Sequence, residues 1–217
     1  MDIEEYILNH IDEEGEQLSR LNRDAHVNLL RPRMLSGHLQ GRTLKMWVRM
    51  QQPKRILEIG TYTGYATLCL AEALPETGEI HTLEIDDEME DFIRKQFDSS
   101  PLKDKIHLHI GDALDIIPQL EGTFDMVFID ADKRLYSQYY DLIFDKVPVG
   151  GIILADNTLW DGKVLEKPVS SDKQTIGIQE FNEKIKQDTR IEKVILPLRD
   201  GLTIIYKQHG REKNSKN

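Results

Sequence analysis

The sequence predicts an α/β fold: a doubly wound, Rossmann-like, seven-stranded and mostly parallel sheet, with an antiparallel C-terminal hairpin and an N-terminal helical cap. Three observations carry this. From Pro53 onward, short apolar runs alternate five times with helical segments, the pattern of successive βαβ units. The runs are apolar almost throughout instead of alternating with polar residues, as strands covered on both faces require. The last two runs, Val194–Leu198 and Leu202–Tyr206, are separated by Arg199-Asp200-Gly201, and Asp-Gly signals a tight antiparallel hairpin.

Each element follows in order. Residues 1–50 read as the helical cap. Ile3, Ile7, Leu8 and Ile11 recur at helical spacing, then Leu18 and Leu21. Arg31-Pro32 interrupts, because the residue before proline is pushed out of the helical region. After the loop at Ser36-Gly37, Leu39, Leu44, Met46, Trp47 and Val48 resume an apolar helical face. The core, residues 53–207, begins with strand Arg55–Ile59, helix Thr63–Ala73, strand Glu79–Glu84 and helix Asp87–Phe97. It continues with strand Ile106–Ile110, a short helix near Ala113–Leu120, strand Phe124–Ile129 and helix Tyr136–Phe144. Strand Gly151–Ala155 and helix Gln174–Asp188 precede the hairpin. The polar stretch Gln208–Asn217 reads as a flexible tail, and the whole of 1–217 as one domain.

Composition narrows the function. Cys69 is the one cysteine, so no intrachain disulfide or cysteine-based zinc site forms, and a cytoplasmic address is expected. No apolar run approaches the ~20 residues that span a bilayer. The acidic start, Met1-Asp2-Ile3-Glu4-Glu5, is unlike a signal peptide. A net charge of −10 argues against a general nucleic-acid coat protein. The charge is uneven: residues 17–55 hold Arg20, Arg23, Arg31, Arg33, Arg42, Lys45, Arg49, Lys54 and Arg55 against the single acid Asp24. This is either the solvated side of a helical region or an anion-binding face.

Glu58-Ile59-Gly60-Thr61-Tyr62-Thr63-Gly64 ends the first strand and opens the next helix. Its G-x-x-x-G spacing differs from the dinucleotide pattern G-x-G-x-x-G, which cradles a pyrophosphate. Glu84, at the end of the second strand, is placed to accept both ribose hydroxyls of an adenosine. Gly111-Asp112-Ala113 ends the third, where a small residue can line an adenine pocket. Taken singly, these residues could merely punctuate βα turns. Together they point to S-adenosylmethionine (AdoMet), which has no phosphate.

The fourth strand ends in Asp130-Ala131-Asp132-Lys133 and the fifth in Asp156-Asn157. If the two strands are neighbours, their ends lie ~4.8 Å apart, at the carboxyl edge where open α/β sheets bind ligands. Asp130, Asp156 and Asn157 then offer three oxygens, a donor set for Mg²⁺, or Ca²⁺ or Mn²⁺. Three protein ligands leave room on a six-coordinate ion for water and a vicinal aromatic diol. The alternative is that these acids only cap helices and turns.

With these stretches in view, the chain resembles the cation-dependent O-methyltransferases of the caffeoyl-CoA and catechol type, from about Met34 to Lys207. The stretches that carry the likeness are Glu58–Tyr65, Phe128-Ile-Asp-Ala-Asp-Lys133 and Ala155-Asp-Asn-Thr-Leu-Trp-Asp-Gly162. The resemblance implies metal ligation by Asp130, Asp156 and Asn157, and a general base at Lys133. It also implies AdoMet contacts at Ser36, Glu58, Gly60, Thr61, Ala66, Glu84, Ala113 and Asp132. Ala66 stands where many relatives carry Ser, and Asp161 where the plant enzymes carry a substrate-touching Asn. Trp160 is a candidate pocket wall, whereas His26, His38, Tyr62 and Tyr65 read as structural. The implied substrate is a small vicinal diol such as a catechol, methylated on one hydroxyl, and the implied assembly a homodimer. Two alternatives are a tRNA hydroxyuridine O-methyltransferase, with Arg20–Arg55 as a phosphate track, and a non-catalytic AdoMet-binding protein, which would need neither the metal ligands nor Lys133.

Overall fold

The computed structural model describes residues 1–209. The remainder of the expected tail, 210–217, lies outside the described residues. Contacts cluster into two compact units, Met1–Asp112 and the chain from Ala113 onward.

The first unit opens with helices α1 (Ile3–Leu8), α2 (Gly15–Asn28) and α3 (Gly37–Gln51). The apolar residues of α1 do not become a core face: the helix buries none of its residues, and Ile3 is 73% exposed. Helix α2 buries Leu18, Leu21 and Ala25 along one stripe, as its spacing predicts. Strand β1 (Arg55–Ile59), helix α4 (Tyr65–Ala71), strand β2 (Glu79–Glu84), helix α5 (Glu90–Asp98) and strand β3 (Ile106–Ile110) follow. β1 pairs with β2 and β2 with β3, both in parallel. The three strands match their predicted bounds. Helix α4 starts two residues late because Gly64 is left-handed, with φ +82°, and Phe97 lies 2.4 Å from where a Cβ would sit. Only glycine accepts both constraints. The core of this unit joins Leu18, Leu21, Ala25 and Leu35 to Tyr65, Leu68, Cys69, Ile93 and Phe97.

The second unit holds helix α6 (Ala113–Ile116), strand β4 (Met126–Ile129), helix α7 (Tyr136–Phe144), strand β5 (Ile152–Ala155), helix α8 (Lys173–Gln187) and strands β6 (Ile191–Leu196) and β7 (Leu202–Lys207). The helix expected over 113–120 shrinks to one turn plus a 3₁₀ segment, Ile117–Gln119, since Pro118 cannot donate within a helix. β4 and β5 pair in parallel, while β7 runs antiparallel to both β5 and β6. The strand order is β3-β2-β1-β4-β5-β7-β6, the seven-stranded, mostly parallel sheet with an antiparallel C-terminal hairpin that the sequence predicts.

The hairpin itself differs from expectation. β6 begins at Ile191 and ends at Leu196, opposite Leu202, so residues 197–201 form the connection. Pro197 has no N–H to extend the ladder, and Arg199 and Gly201 take positive φ values of 49° and 91°. The turn is used elsewhere: the Gly201 and Asp200 carbonyls accept the N–H groups of Thr158 and Leu159 at 3.0 and 2.9 Å, and the Asp200 carboxylate accepts that of Asp161.

Helix α8 packs on the 3₁₀ turn Lys133–Leu135 through Gly177, where a Cβ would meet the Lys133 carbonyl oxygen at 2.5 Å and the Arg134 Cα at 2.8 Å. Alanine in a helix interior ordinarily gains about 1 kcal/mol over glycine. Here both obstacles are backbone, so Gly177→Ala is expected to cost about 1–3 kcal/mol instead. A urea midpoint equal to or above wild type would contradict this.

Candidate active site

In the second unit, the register Ile129↔Ala155 brings β4 and β5 to an end side by side. Asp130 and Asp156 are each the next residue out, and the Asp156 N–H donates to the Ile129 carbonyl at 2.9 Å. The neighbourhood assumed from sequence is therefore real. Asp156 is 2% exposed, and its Oδ1 accepts the Asn157 N–H at 2.8 Å. Asn157 itself has φ 57°, a left-handed conformation that Asn tolerates better than most residues. Strained backbone of this kind recurs where a side chain must be aimed for function.

Lys133 opens a 3₁₀ turn capped by Asp132, whose carboxylate accepts the Arg134 N–H. The cap holds Lys133 over the strand ends, 7% exposed. Its Nζ donates to Asp130 Oδ1 at 2.9 Å and to the Tyr136 hydroxyl at 2.7 Å. Tyr136 in turn donates to the Asp156 carbonyl, 3.0 Å away, with the Ile129 carbonyl at 3.2 Å. Burial above all, and then the negative charges of Asp130 and Asp156, push the Tyr136 hydroxyl well above its ordinary value, so it stays a neutral phenol. Sequence reading missed Tyr136, which among the aromatic residues of α7 looked like core. Only its position three residues after Lys133 hinted otherwise.

Asp132 carries a second load: its carboxylate pairs with the Arg134 guanidinium, and that hydrogen bond foremost holds it below the usual carboxylate range. Trp160 and Asp161 lie in the segment pinned by the 197–201 turn, both with positive φ. The Trp160 indole N–H is buried without a hydrogen-bond partner among the described residues, while Asp161 is exposed. Ala113 is buried at the start of α6.

In the first unit, the loop between β1 and α4 folds over Glu84. One Glu84 carboxylate oxygen accepts the Tyr62 N–H at 2.6 Å and the other that of Asp86 at 3.0 Å. Gly60 and Thr61 both donate to the Leu83 carbonyl, at 3.0 and 3.1 Å. A carboxylate has about four acceptor sites, so the anchored Glu84 can still receive hydroxyls. Glu58 is fully buried, and its Oε2 accepts the hydroxyls of Thr82, at 2.6 Å, and Thr67. Thr82 and Thr61 hydroxyls lie 2.6 Å apart, completing a chain that the sequence did not reveal. Ala66 lies buried in the first turn of α4, and Ser36 is buried at the start of α3. His26 and His38 rings contact the backbone carbonyls of Asn22 and Asp12, and the Tyr65 and Tyr62 hydroxyls donate to Glu14 and to the Arg31 carbonyl.

The basic stretch is partly neutralised. Arg42 and Lys45 share Glu72, at 2.9 and 2.8 Å, and Arg55 pairs with Glu79 at 2.7 Å. No helix among the described residues is long and apolar enough to cross a membrane.

The chain is similar to known O-methyltransferases. Among solved structures, an O-methyltransferase from Bacillus cereus in complex with SAH superposes with a TM-score of 0.88 at 29% identity, covering 95% of this chain and 97% of that one. TomG from Streptomyces achromogenes, an O-methyltransferase involved in tomaymycin synthesis and solved with SAM, gives 0.87 at 27% identity over 95% and 96%. Among curated proteins, a catechol O-methyltransferase from Niastella koreensis is 37% identical over 163 residues, 73% of each chain. Caffeoyl-CoA O-methyltransferase 5 of Nicotiana tabacum is 35% identical over 176 residues, 76% of this chain and 73% of that one. The O-methyltransferase family model matches residues 9–208, and the chain belongs to that family.

Proposed function

We propose that this O-methyltransferase moves the methyl group of AdoMet to one hydroxyl of a vicinal aromatic diol, with a divalent cation, Mg²⁺ foremost, held by Asp130, Asp156 and Asn157. The observation that carries this reading is the cluster Asp130–Lys133–Tyr136–Asp156 at the paired ends of β4 and β5. The donor set suits the ion: two carboxylates and an amide supply hard oxygens, and the nearly buried Asp156 carboxylate gains from a compensating charge. When bound, such a cation favours the ionised form of a chelated phenol over the neutral form.

Lys133 receives the proton. A neutral amine has two N–H bonds and one lone pair. With the two bonds directed at Asp130 and Tyr136, the lone pair is left for the substrate hydroxyl. The phenolate oxygen then forms a bond to the methyl carbon as the sulfur–methyl bond breaks. S-adenosylhomocysteine leaves, and the proton remains on Lys133 Nζ. Positioning of the two reactants supplies much of the rate. Trp160 and Asp161 flank the acceptor, and a substrate oxygen would satisfy the buried Trp160 N–H.

On the cofactor side, Glu84 takes the ribose hydroxyls, and Gly60, Thr61, Ala66, Glu58, Ser36, Ala113 and Asp132 complete the AdoMet contacts that the family resemblance implies. With Arg42, Lys45 and Arg55 already paired to carboxylates, the phosphate track that tRNA would need is weakened, and a small diol is favoured. Exposed apolar residues of the N-terminal region, Ile3 on α1, Val27 on α2 and Leu30 just after it, support a homodimer, and a cytoplasmic enzyme is the matching location.

Methyl transfer to catechol should be abolished by EDTA and restored by Mg²⁺, and lost in Asp156→Ala; undiminished turnover in EDTA would refute the cation's role. Glu84→Ala should weaken AdoMet binding by about 1–3 kcal/mol through lost charge-assisted hydrogen bonds, read by calorimetry; unchanged affinity would remove Glu84 from the cofactor site. The KM for catechol should stay nearly flat between 50 and 200 mM salt, whereas five phosphate contacts to tRNA would cost on the order of a hundredfold in affinity. Turnover on tRNA with that steep salt dependence, and none on catechol, would reverse the substrate assignment.

A further inference from the structure

A second group of metal-ligating side chains lies in the first unit. Glu79 and His81 are two residues apart on β2, so they share a face of the strand. His107 is the residue on β3 paired with His81 and projects to the same face. Glu79 Oε1 lies 3.3 Å from His81 Nε2, and Glu79 Oε2 lies 3.3 Å from His107 Nε2. One ligand atom from each residue falls within 4.8 Å of the others. Four-coordinate zinc with bonds of about 2.0–2.1 Å has neighbouring donors roughly 3.3 Å apart, so two edges of such a site are already at length.

His109, two residues further along β3, supports the arrangement. Its Nε2 lies 3.0 Å from His81 Nδ1, and the two rings stack with an interplanar angle of 11°. With the His81 proton on Nδ1 and donated to His109, the His81 Nε2 lone pair turns toward Glu79, the outer-shell pattern that orients metal-binding imidazoles. Glu79 and His107 side chains are 36% and 44% exposed, which leaves an entry path. The site is separate from the candidate cofactor carboxylate: Glu84 is three residues beyond His81 and five beyond Glu79 on the same strand, ~10 and ~16 Å away at about 3.3 Å per residue.

We propose that Glu79, His81 and His107 bind a divalent transition metal, Zn²⁺ being the fitting ion, and that this clamps the edge strand β3 to β2. Imidazole donors select zinc-like ions over Mg²⁺, and three protein ligands leave a fourth position for water. Arg55 sets the sign of one test. Its Nε donates to Glu79 Oε1 at 2.7 Å and its Nη2 lies 3.3 Å from His81 Nε2, so an incoming dication has to displace a like charge.

The experiment is a zinc titration of the full chain in competition with a chromophoric chelator, read as stoichiometry and affinity. His107→Gln, an exposed change, should weaken zinc binding by about tenfold or more without altering the metal-free melting temperature, and His81→Ala should weaken zinc binding as well. Arg55→Gln should tighten binding, and Asp156→Ala should leave this site unchanged even if catalysis fails, which separates it from the candidate active-site cation. Co²⁺ in place of Zn²⁺ should give the visible bands of a four-coordinate nitrogen–oxygen site. Zinc affinity in His107→Gln within about twofold of wild type, or zinc binding abolished by Asp156→Ala, would overturn the proposal.

Discussion

Pairing of β4 with β5 in the register Ile129↔Ala155 is the constraint on which the second unit's chemistry rests. Side chains on a strand alternate faces, so a slip of one residue would send one acid to the opposite side of the sheet. In the observed register, both strands stop at the same level and each releases an aspartate there. Tyr136 reads the result: its hydroxyl touches the carbonyl of Ile129 at the end of one strand and that of Asp156 just past the end of the other. Lys133 is then held by a group that itself depends on both strand ends. The amine's position is a consequence of sheet register more than of the flexible chain that carries it.

The first unit solves a similar problem with hydroxyls. A fully buried carboxylate is costly unless hydrogen-bonded, and Glu58 meets the hydroxyls of Thr82 on β2 and Thr67 on α4. Because Thr82 also touches Thr61, the loop after β1 is tied to the strand beside it. Glu84 fastens the same loop from its other side through the Tyr62 N–H. The loop is therefore shaped by two acids: Glu58 is sealed inside, and Glu84 stands at the strand end with acceptor capacity left over.

Much of this was legible from the chain. The strands at 55–59, 79–84 and 106–110 and the helix at 136–144 coincide with their predicted bounds, because apolar runs bounded by turn residues leave little freedom. The strand-end acids were legible for the same reason, since their significance needs only the strand boundaries. What stayed hidden depends on contacts between elements. Gly177 resembled any mid-helix glycine until the Lys133 backbone was found against it. Tyr136 resembled a core aromatic. The pairing of His81 with His107 is set by a parallel register between segments some twenty-five residues apart, and spacing along one sequence does not give it. The hairpin was legible from Asp200-Gly201, but its first strand was placed at 194–198 and not 191–196, because the turn also serves a neighbouring loop that the sequence does not show.

That service has an evolutionary corollary. The carbonyls of Asp200 and Gly201 and the carboxylate of Asp200 hold the backbone of residues 158–161, so two segments some forty positions apart behave as one piece. A residue inserted between Pro197 and Gly201 would move Trp160 and Asp161 as surely as a mutation beside them. Across descendants of this chain, the lengths of the two segments are expected to change together or not at all. The surroundings of Trp160 and Asp161 could then be altered at the C-terminal turn with Asp130, Lys133 and Asp156 left untouched.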